Sequence, residues 1–188
     1  GRAMFESLGL WDILHDEAEP ILDIRVSDGD SRRFLHYDHR EVGDLPMGHI
    51  IENALLKQAL FEAVRDHDSI SYMPEMAIQE FDGEPGHIAA DFGDGGRLRT
   101  RLLVGADGRE SKVRQLAGIR ATRLDYRQTS LVFTVEHTRP HQGVAHERFL
   151  PGGPLAFLPM AKNRSSVVWT ERTQTARALL TLNDSELG

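Results

Sequence analysis

The chain has 188 residues, of which 40% are apolar and 27% are charged, and it contains no Cys. This composition is typical of a globular protein with a substantial core, and it excludes a disulfide framework, thiolate metal sites and cysteine-based catalysis. The longest apolar runs are only a few residues long, as in Leu102-Leu103-Val104. We therefore expect no transmembrane helix and no signal peptide, and the absence of Cys fits a cytoplasmic protein.

Charge is distributed unevenly along the chain. The net charge is −7, yet residues 97–127 hold nine Arg and Lys against three acidic residues, a local excess of +6. An acidic protein does not wrap nucleic acid, and Tyr126 is the aromatic residue within this basic stretch, so a nucleic-acid partner is not expected. Two interpretations stay open for the stretch: a site for an anionic ligand and a solvated basic face.

The first third of the sequence predicts helix, strand, strand and helix. Apolar residues recur at helical spacing over residues 2–16, and Asp28-Gly29-Asp30 is typical of a turn between strands near 21–26 and 33–37. Residues 38–48 are polar and predict a loop. Asn53 is then predicted as the N-cap of an amphipathic helix.

The middle of the sequence predicts strands from 69 to 104, with reversals at 82–86 and 93–96. The last of these strands, 97–104, is expected to be buried and to run into Gly105-Ala106-Asp107-Gly108. A short helix at 111–116, closed by Gly118, follows it.

Residues 124–171 predict four more strands, and Pro151-Gly152-Gly153-Pro154 predicts the turn between two of them. A helix at 175–182 follows, and residues 183–186 resemble the cap of another helix. Because both ends interrupt elements, we expect the sequence to be part of a longer protein. The predicted fold class is α+β, a mostly antiparallel sheet with helices.

Several familiar motifs are better explained by ordinary structure. Residues 93–98 depart from a dinucleotide fingerprint, which needs a third Gly before a helix, and they favour a hairpin. The pairs His36/His39 and His137/His141 lack a third ligand nearby or contain a Pro, so surface histidines are favoured over a metal site. No Gly-x-Ser-x-Gly sequence for a catalytic serine is present.

The strongest local signal is the segment from Leu102 to Arg114. Glycines on either side of Asp107 would let a ligand approach the backbone, and free amides at the start of the next helix favour phosphate. Arg109, Lys112 and Arg114 add positive charge.

This segment resembles the Asp-Gly motif of the flavoprotein aromatic hydroxylases of the p-hydroxybenzoate hydroxylase type. Three further segments resemble the ubiquinone-biosynthesis branch of that family, the 2-polyprenyl-6-methoxyphenol hydroxylase type. They are Leu8-Gly9-Leu10-Trp11, Ile51-Glu52-Asn53-Ala54-Leu55-Leu56, and the strand pair at 147–159. Ala54 departs from the pattern of the branch, which has Arg there. The family's N-terminal Gly-x-Gly-x-x-Gly and its C-terminal Gly-Asp motif are absent.

The resemblance implies a flavin-dependent monooxygenase that uses FAD, NAD(P)H and O2 to hydroxylate a polyprenylated phenol in ubiquinone biosynthesis. It implies that 1–20 and 49–123 belong to the FAD-domain framework, 21–48 and 124–174 to a substrate-side sheet, and 175–188 to a truncated helical return. We expect this stretch on its own to bind FAD weakly or not at all and to be inactive. The alternative is a non-catalytic interaction or oligomerisation module of a biosynthetic complex.

The resemblance also assigns roles to individual residues. Asn53, Asp107, Gly108 and Arg114 are expected to contact the cofactor, and Leu155, Phe157 and Pro159 to line the aromatic pocket. No side chain is expected to act as a catalytic nucleophile or metal ligand. The expected partners are a small hydrophobic phenol and a homo-oligomer or biosynthetic complex, with peripheral contact to the inner membrane and no nucleic acid.

Overall fold

The computed structural model describes residues 1–93, 95–183 and 186. Within that part the helices are α1 (Arg2–Ser7), α2 (Trp11–Leu14), α3 (Asn53–Arg65), α4 (Lys112–Leu116) and α5 (Thr173–Leu179). The strands are β1 (Glu19–Ile21), β2 (Asp23–Asp28), β3 (Phe34–Asp38), β4 (Gly48–Ile50), β5 (Glu80–Glu84), β6 (His87–Asp91), β7 (Arg97–Thr100), β8 (Gln128–Glu136), β9 (Val144–Leu150), β10 (Gly153–Met160) and β11 (Arg164–Arg172). No helix among the described residues has the length and apolar character needed to cross a bilayer.

The chain divides into two compact units. The first unit comprises residues 1–67 and 125–188, and the second comprises residues 68–124. The first unit therefore consists of two stretches, one before and one after the second unit in the sequence.

A six-stranded sheet dominates the first unit. Its strand order is β3-β2-β9-β10-β11-β8, and every neighbouring pair is antiparallel except β2 with β9, which is parallel. The four strands predicted after residue 124 are β8 to β11, and the turn predicted at 151–154 joins β9 to β10. With its helices and largely antiparallel sheets, the structure confirms the α+β prediction.

Strand register assigns side chains to the two faces of this sheet. Leu155 lies opposite Trp169 and Arg148, and Phe157 lies opposite Val167 and His146. Directly opposed residues share a face, and residues two apart along a strand do as well. Leu155, Phe157 and Pro159 therefore occupy one face, which we call the Phe157 face.

The predicted helix over residues 2–16 is wrong, because the chain bends at Gly9. This glycine has φ of +69°, a conformation that costs glycine little. The Gly9 amide bonds to the Glu6 carbonyl and the Leu10 amide to the Phe5 carbonyl, which is the Schellman pattern that ends a helix. The bend separates α1 from α2 and lets Leu10 and Leu14 pack against Ala59 of α3 in a small helical core.

The predicted N-cap at Asn53 is also wrong. Asn53 is the first residue of α3, and Glu52 precedes it in an extended conformation. The Glu52 side chain does not cap the helix, because Oε1 accepts a hydrogen bond from Nη2 of Arg164 on β11 at 2.6 Å. This ion pair ties the start of α3 to the sheet. The helix predicted at 175–182 forms slightly earlier, as α5.

The second unit has a three-stranded antiparallel sheet, β5-β6-β7, and the short helix α4. No strand forms at 69–79, where strands were also expected. Gly93, Gly95 and Gly96 lie in the predicted connection between β6 and β7, and Asp94 lies outside the described residues. In the predicted cap at 183–186, the Asn183 and Glu186 amides each bond to the other residue's side chain, and Asp184 and Ser185 lie outside the described residues.

The prediction of a buried strand over residues 97–104 is wrong in two respects, because β7 is largely exposed and the strand does not continue beyond Thr100. β7 pairs with β6 as far as Thr100, and residues 101–104 join no strand that the structure describes. Without a neighbouring strand these residues gain neither ladder hydrogen bonds nor burial. Leu102 is 71% exposed and Val104 is 70% exposed.

Candidate functional site

Asp107 is the organising residue of the segment that leads into α4. Its Oδ1 accepts a hydrogen bond from the Ser111 hydroxyl at 2.5 Å. Its Oδ2 accepts from the Lys112 amide at 2.6 Å and from the Val113 amide at 3.2 Å. These bonds, the Ser111 hydroxyl first, lower the pKa of Asp107 below its ordinary value.

The expectation of free amides at the start of α4 is wrong. Asp107 takes the first two amides of the helix, and the Ser111 hydroxyl accepts the Arg114 amide at 3.0 Å. The side chains of this segment thus satisfy the donors that a helix N-terminus would otherwise offer to an anion.

Gly108 and Arg114 complete the predicted cofactor-binding set of the second unit. Gly108 has φ of +84°, and a side chain at its Cα would meet nothing within 4 Å, so the backbone is open to a ligand there. Arg114 is partly exposed, and its guanidinium forms no ion pair or hydrogen bond with any residue that the structure describes. It is a cation that remains available to an anionic group.

Other residues of the basic stretch at 97–127 are already paired. Arg97 and Arg99 contact the carboxylate of Glu84 at 3.2 and 2.7 Å, and Arg123 contacts Glu110. Nζ of Lys112 donates to the Gln79 side chain at 2.7 Å. These contacts favour a largely solvated basic face, and Arg114 is one of several cations of the stretch that have no partner among the described residues.

Asn53 lies in the first unit, exposed in the first turn of α3. The Phe157 face of the same unit carries two concavities that share Leu155 and Phe157. One has a volume of about 420 Å³ and lies over β2, β3, β9 and β10. The other has a volume of about 780 Å³ and lies over β8, β10, β11 and the C-terminal end of α5. We call the two together the trough.

The trough includes two of the three predicted substrate residues. Leu155 and Phe157 lie at its centre, and Phe157 is 37% exposed. Pro159 lies on the same face but is fully buried and lines neither concavity. It packs in the sheet core.

Among the trough residues that sequence reasoning missed are Arg25, His146 and Trp169. Arg25 alternates with Asp23 and Ser27 on β2, and that pattern predicts a shared face. It carries no signal that His146, 121 positions later, lies directly opposite Arg25. The apolar run that ends at Trp169 predicts a strand, and it predicts no ligand-facing position.

The expectation that the paired histidines lie at the surface is wrong for three of them. His137 Nε2 lies 3.1 Å from the Ser165 hydroxyl, and His141 Nε2 lies 3.0 Å from the Met160 carbonyl. His39 is partly buried and bonds through Nδ1 to the Leu22 carbonyl at 2.9 Å. These rings satisfy buried polar groups and so serve the fold.

The expectation that no third ligand lies near His36 and His39 is also wrong. Asp23 and Asp38 each have a carboxylate oxygen within 4.8 Å of a His39 ring nitrogen and of each other. Arg40 already engages both oxygens of Asp38, and Nδ1 of His39 donates to the Leu22 carbonyl. The cluster is committed to internal contacts, which argues against a metal site.

Comparison with known proteins places the chain among flavoproteins. The pattern of the FAD binding domain family matches residues 3–184. A ubiquinone hydroxylase, UbiL, of Rhodospirillum rubrum is 46% identical over 181 residues, which cover 96% of this chain and 42% of that protein. The mitochondrial ubiquinone biosynthesis monooxygenase COQ6 of Mus musculus is 34% identical over 195 residues, covering 97% of this chain and 40% of that protein.

Solved structures show the same fold at low sequence identity. The crystal structure of PqsL, a probable FAD-dependent monooxygenase from Pseudomonas aeruginosa, matches with a TM-score of 0.80 at 21% identity, covering 98% of this chain and 52% of that one. HpxO of Klebsiella pneumoniae, complexed with FAD and uric acid, matches with a TM-score of 0.69 at 18% identity, covering 90% and 44%. The chain spans about two-fifths of the length of the curated relatives that it matches. With a match that extends over nearly all of its residues, the chain belongs to the FAD binding domain family.

Proposed function

We propose that the chain acts as part of a FAD-dependent monooxygenase that hydroxylates a polyprenylated phenol in ubiquinone biosynthesis, with NAD(P)H as the reductant and O2 as the oxidant. The observation that carries this proposal is the 46% identity with a ubiquinone hydroxylase over 96% of the chain. The 780 Å³ concavity of the trough adds support, because the hydrophobic tail of such a phenol needs a concave surface without charge.

The residues of the second unit fit one edge of a FAD site. The open backbone at Gly108 and the unpaired guanidinium of Arg114 suit a phosphate-bearing ligand. Because the amides of α4 are taken by Asp107 and Ser111, we assign Asp107 to shaping this edge rather than to direct contact with phosphate. Asn53 stays a proposed cofactor contact of the first unit.

The flavin, when bound, supplies the activation of O2 for transfer to an electron-rich ring. The chain's own contribution is to bind and orient that ring and to keep water from it. Leu155 and Phe157 present apolar surface for the ring at the centre of the trough. This contribution requires no nucleophilic side chain and no metal ligand.

The test compares the 188-residue chain with a longer polypeptide that contains it. We expect the longer polypeptide to bind FAD, to oxidise NAD(P)H faster when a prenylated phenol is added, and to yield a product heavier by one oxygen in mass spectrometry. We expect the 188-residue chain to yield no such product. A longer polypeptide that holds FAD and yet leaves prenylated phenols unmodified would refute the proposal.

Two variants of the longer polypeptide separate cofactor binding from substrate binding. Arg114→Met should weaken FAD binding, measured by the quenching of flavin fluorescence. Phe157→Ala should leave FAD binding unchanged and raise the KM for the prenylated phenol. If Arg114→Met binds FAD as tightly as the unmodified protein, the assignment of Arg114 to the cofactor site is wrong.

A further inference from the structure

A buried donor in the trough lacks an acceptor. Nε of Arg25 is inaccessible to solvent and has no hydrogen-bond partner among the described residues. The nearest carboxylate contact of this guanidinium is Asp23 Oδ2, 4.0 Å from Nη2, and the Phe34 ring centre lies 5.6 Å from Cζ. The side chain as a whole is 40% exposed and lines the smaller concavity, so its cationic group favours an anion there.

The surroundings of Arg25 reinforce the preference for an anion. The 420 Å³ concavity is also lined by Arg148, His146, Ser27 and Ser31. Burial, and then the charge of Arg25, lower the pKa of His146, so the imidazole is neutral at neutral pH and can donate one hydrogen bond.

Acidic groups near this end leave Nε of Arg25 without a partner among the described residues. Glu147 lines the concavity, but its register position opposite Val26 and Ala156 belongs to the other face of the sheet. Asp30 is fully exposed and pairs with Arg148 at 3.0 Å. Oδ2 of Asp23 lies 4.0 Å from Nη2 of Arg25 and also 3.4 Å from Nε2 of His36.

The other end of the trough differs in charge, although Nε1 of Trp169 there is also a buried donor without a partner among the described residues. The described residues that line the 780 Å³ concavity carry no charge, and most are aliphatic or aromatic, including Trp169, Leu180 and Leu182. β2 and β11 are separated by β9 and β10, so the polar and apolar ends lie about 14 Å apart across three strand spacings. Leu155 and Phe157 connect the two ends with apolar surface.

We propose that the trough binds an amphiphilic organic anion lengthwise, with its anionic head at Arg25 and its apolar chain over Phe157 towards Trp169 and α5. The inference deepens the proposed function and rests on it for its biological meaning, because it fixes the direction of a substrate. An ionised ring oxygen would lie at the β2 end, and the prenyl tail would lie along the β11 end.

The test uses dodecanoate as the probe and dodecan-1-ol as its neutral match. Trp11 and Trp169 are the two tryptophans of the chain, so Trp11→Phe leaves Trp169 as the reporter at the apolar end. In this background we expect saturable changes in Trp169 emission with both probes. Dodecanoate should bind at least about tenfold more tightly than the alcohol, because a charge-assisted hydrogen bond to Arg25 is available to the anion alone.

Three variants distinguish the binding of the anionic head of dodecanoate from the binding of its apolar chain. Arg25→Met should bring the affinity for dodecanoate down to that for the alcohol and leave alcohol binding unchanged. Arg172→Met, at the exposed end of β11, is the matched control and should change neither affinity. Leu180→Asp places a charge at an exposed position of the apolar end and should lower the affinity for both probes.

The comparison of the two probes in the Trp11→Phe background needs no substitution in the trough and so does not depend on how the trough variants fold. Equal affinity for dodecanoate and dodecan-1-ol would overturn the inference, as would emission changes that do not saturate or an Arg25→Met variant that keeps the preference for the anion. The titration contains neither flavin nor reductant. Dodecanoate binding without hydroxylation by the longer polypeptide would therefore refute the proposed function alone, and hydroxylation without this binding would refute the inference alone.

Discussion

The contacts of Asp107 have consequences for the local structure that do not depend on a cofactor. Both of its carboxylate oxygens accept hydrogen bonds from residues 111–113. These bonds connect the loop at Asp107 to the first turn of α4. α4 is a five-residue helix, too short to be stable by itself. Its formation in the second unit therefore depends on this carboxylate and on the cap at Ser111.

We predict that Asp107→Ala exposes the first turn of α4. The amides of Lys112 and Val113 should exchange hydrogen faster, because their acceptor is removed. Asp91→Ala is the matched control, since Asp91 accepts the Gly93 amide at another turn of the same unit and its loss should leave α4 protected. Hydrogen exchange followed by NMR measures both variants, and unchanged protection of Lys112 and Val113 in Asp107→Ala would disprove the capping role.

The same carboxylate predicts a pH dependence. The pKa of Asp107 in the folded state lies below its ordinary value of 3.8, so the ionised form is the one that the fold stabilises. This contribution is fully present above pH of about 4 and is lost as the pH falls through the folded-state pKa. Exchange at Lys112 and Val113, corrected for its intrinsic pH dependence, should accelerate on acidification in the native chain and not in Asp107→Ala.

Gly153 is required by the turn between β9 and β10. Its φ is +151°, and a Cβ would lie 2.9 Å from the Thr170 carbonyl oxygen and 2.8 Å from its Cγ2. We predict that Gly153→Ala lowers the free energy of unfolding by about 1–3 kcal/mol. Gly43→Ala is the control, because a Cβ there meets nothing within 4 Å and φ is not positive. Urea unfolding followed by Trp169 fluorescence measures both, and equal effects of the two substitutions would contradict this.

At the scale of the elements, the sequence predicted local features well and distant ones poorly. Alternation and turn residues located β8 to β11, because these signals depend on neighbouring residues alone. The parallel pairing of β2 with β9 joins residues more than 110 positions apart, and no local pattern encodes it. For the same reason Leu155 and Phe157 could be predicted as one face, whereas the contribution of Arg25 to the same trough could not.

The break at Gly9 illustrates a second cause of error. The apolar spacing at Leu8, Trp11 and Leu14 is compatible with a continuous helix. A Gly inside a helix lowers the stability of the helix by only about 1 kcal/mol. The packing of Leu10 and Leu14 on Ala59 outweighs that preference. Tertiary contacts thus decided between two local structures of similar free energy.

The ion pair between α3 and β11 should contribute modestly to stability. Glu52 and Arg164 are partly exposed, so solvent screens their attraction. We predict a coupling free energy of about 0.5–1 kcal/mol in a double-mutant cycle of Glu52→Gln and Arg164→Met. Arg164→Met should cost more than Glu52→Gln, because Nε of Arg164 also donates to the Ala161 carbonyl at 3.1 Å. Strict additivity of the two substitutions in urea unfolding would show that the pair is not coupled.

At the scale of the whole molecule, the sheet and the trough belong to the first unit and the Asp107 segment belongs to the second. The predicted substrate residues therefore lie in the first unit, and Asp107, Gly108 and Arg114 lie in the second. The division of the sequence into FAD-domain framework and substrate-side sheet stays a prediction. The structure adds that strands from both predicted parts of the substrate side, β2 and β9, pair in one sheet.

The second unit exposes several aliphatic side chains in a short stretch of sequence. Leu102, Val104, Ile119 and Leu124 are each between 62% and 78% exposed, and all fall within 23 positions of one another. Such surface favours association, because contact between copies removes apolar area from water.

We predict that the chain self-associates with increasing concentration and that replacing these four residues with Ser shifts it towards monomer. Val42 and Leu45 of the first unit are 85% and 71% exposed, and replacing both with Ser is the matched control. Sedimentation velocity over a hundredfold range of concentration measures the effect; a monomer throughout, or an equal effect of the control, would show that this surface does not drive association.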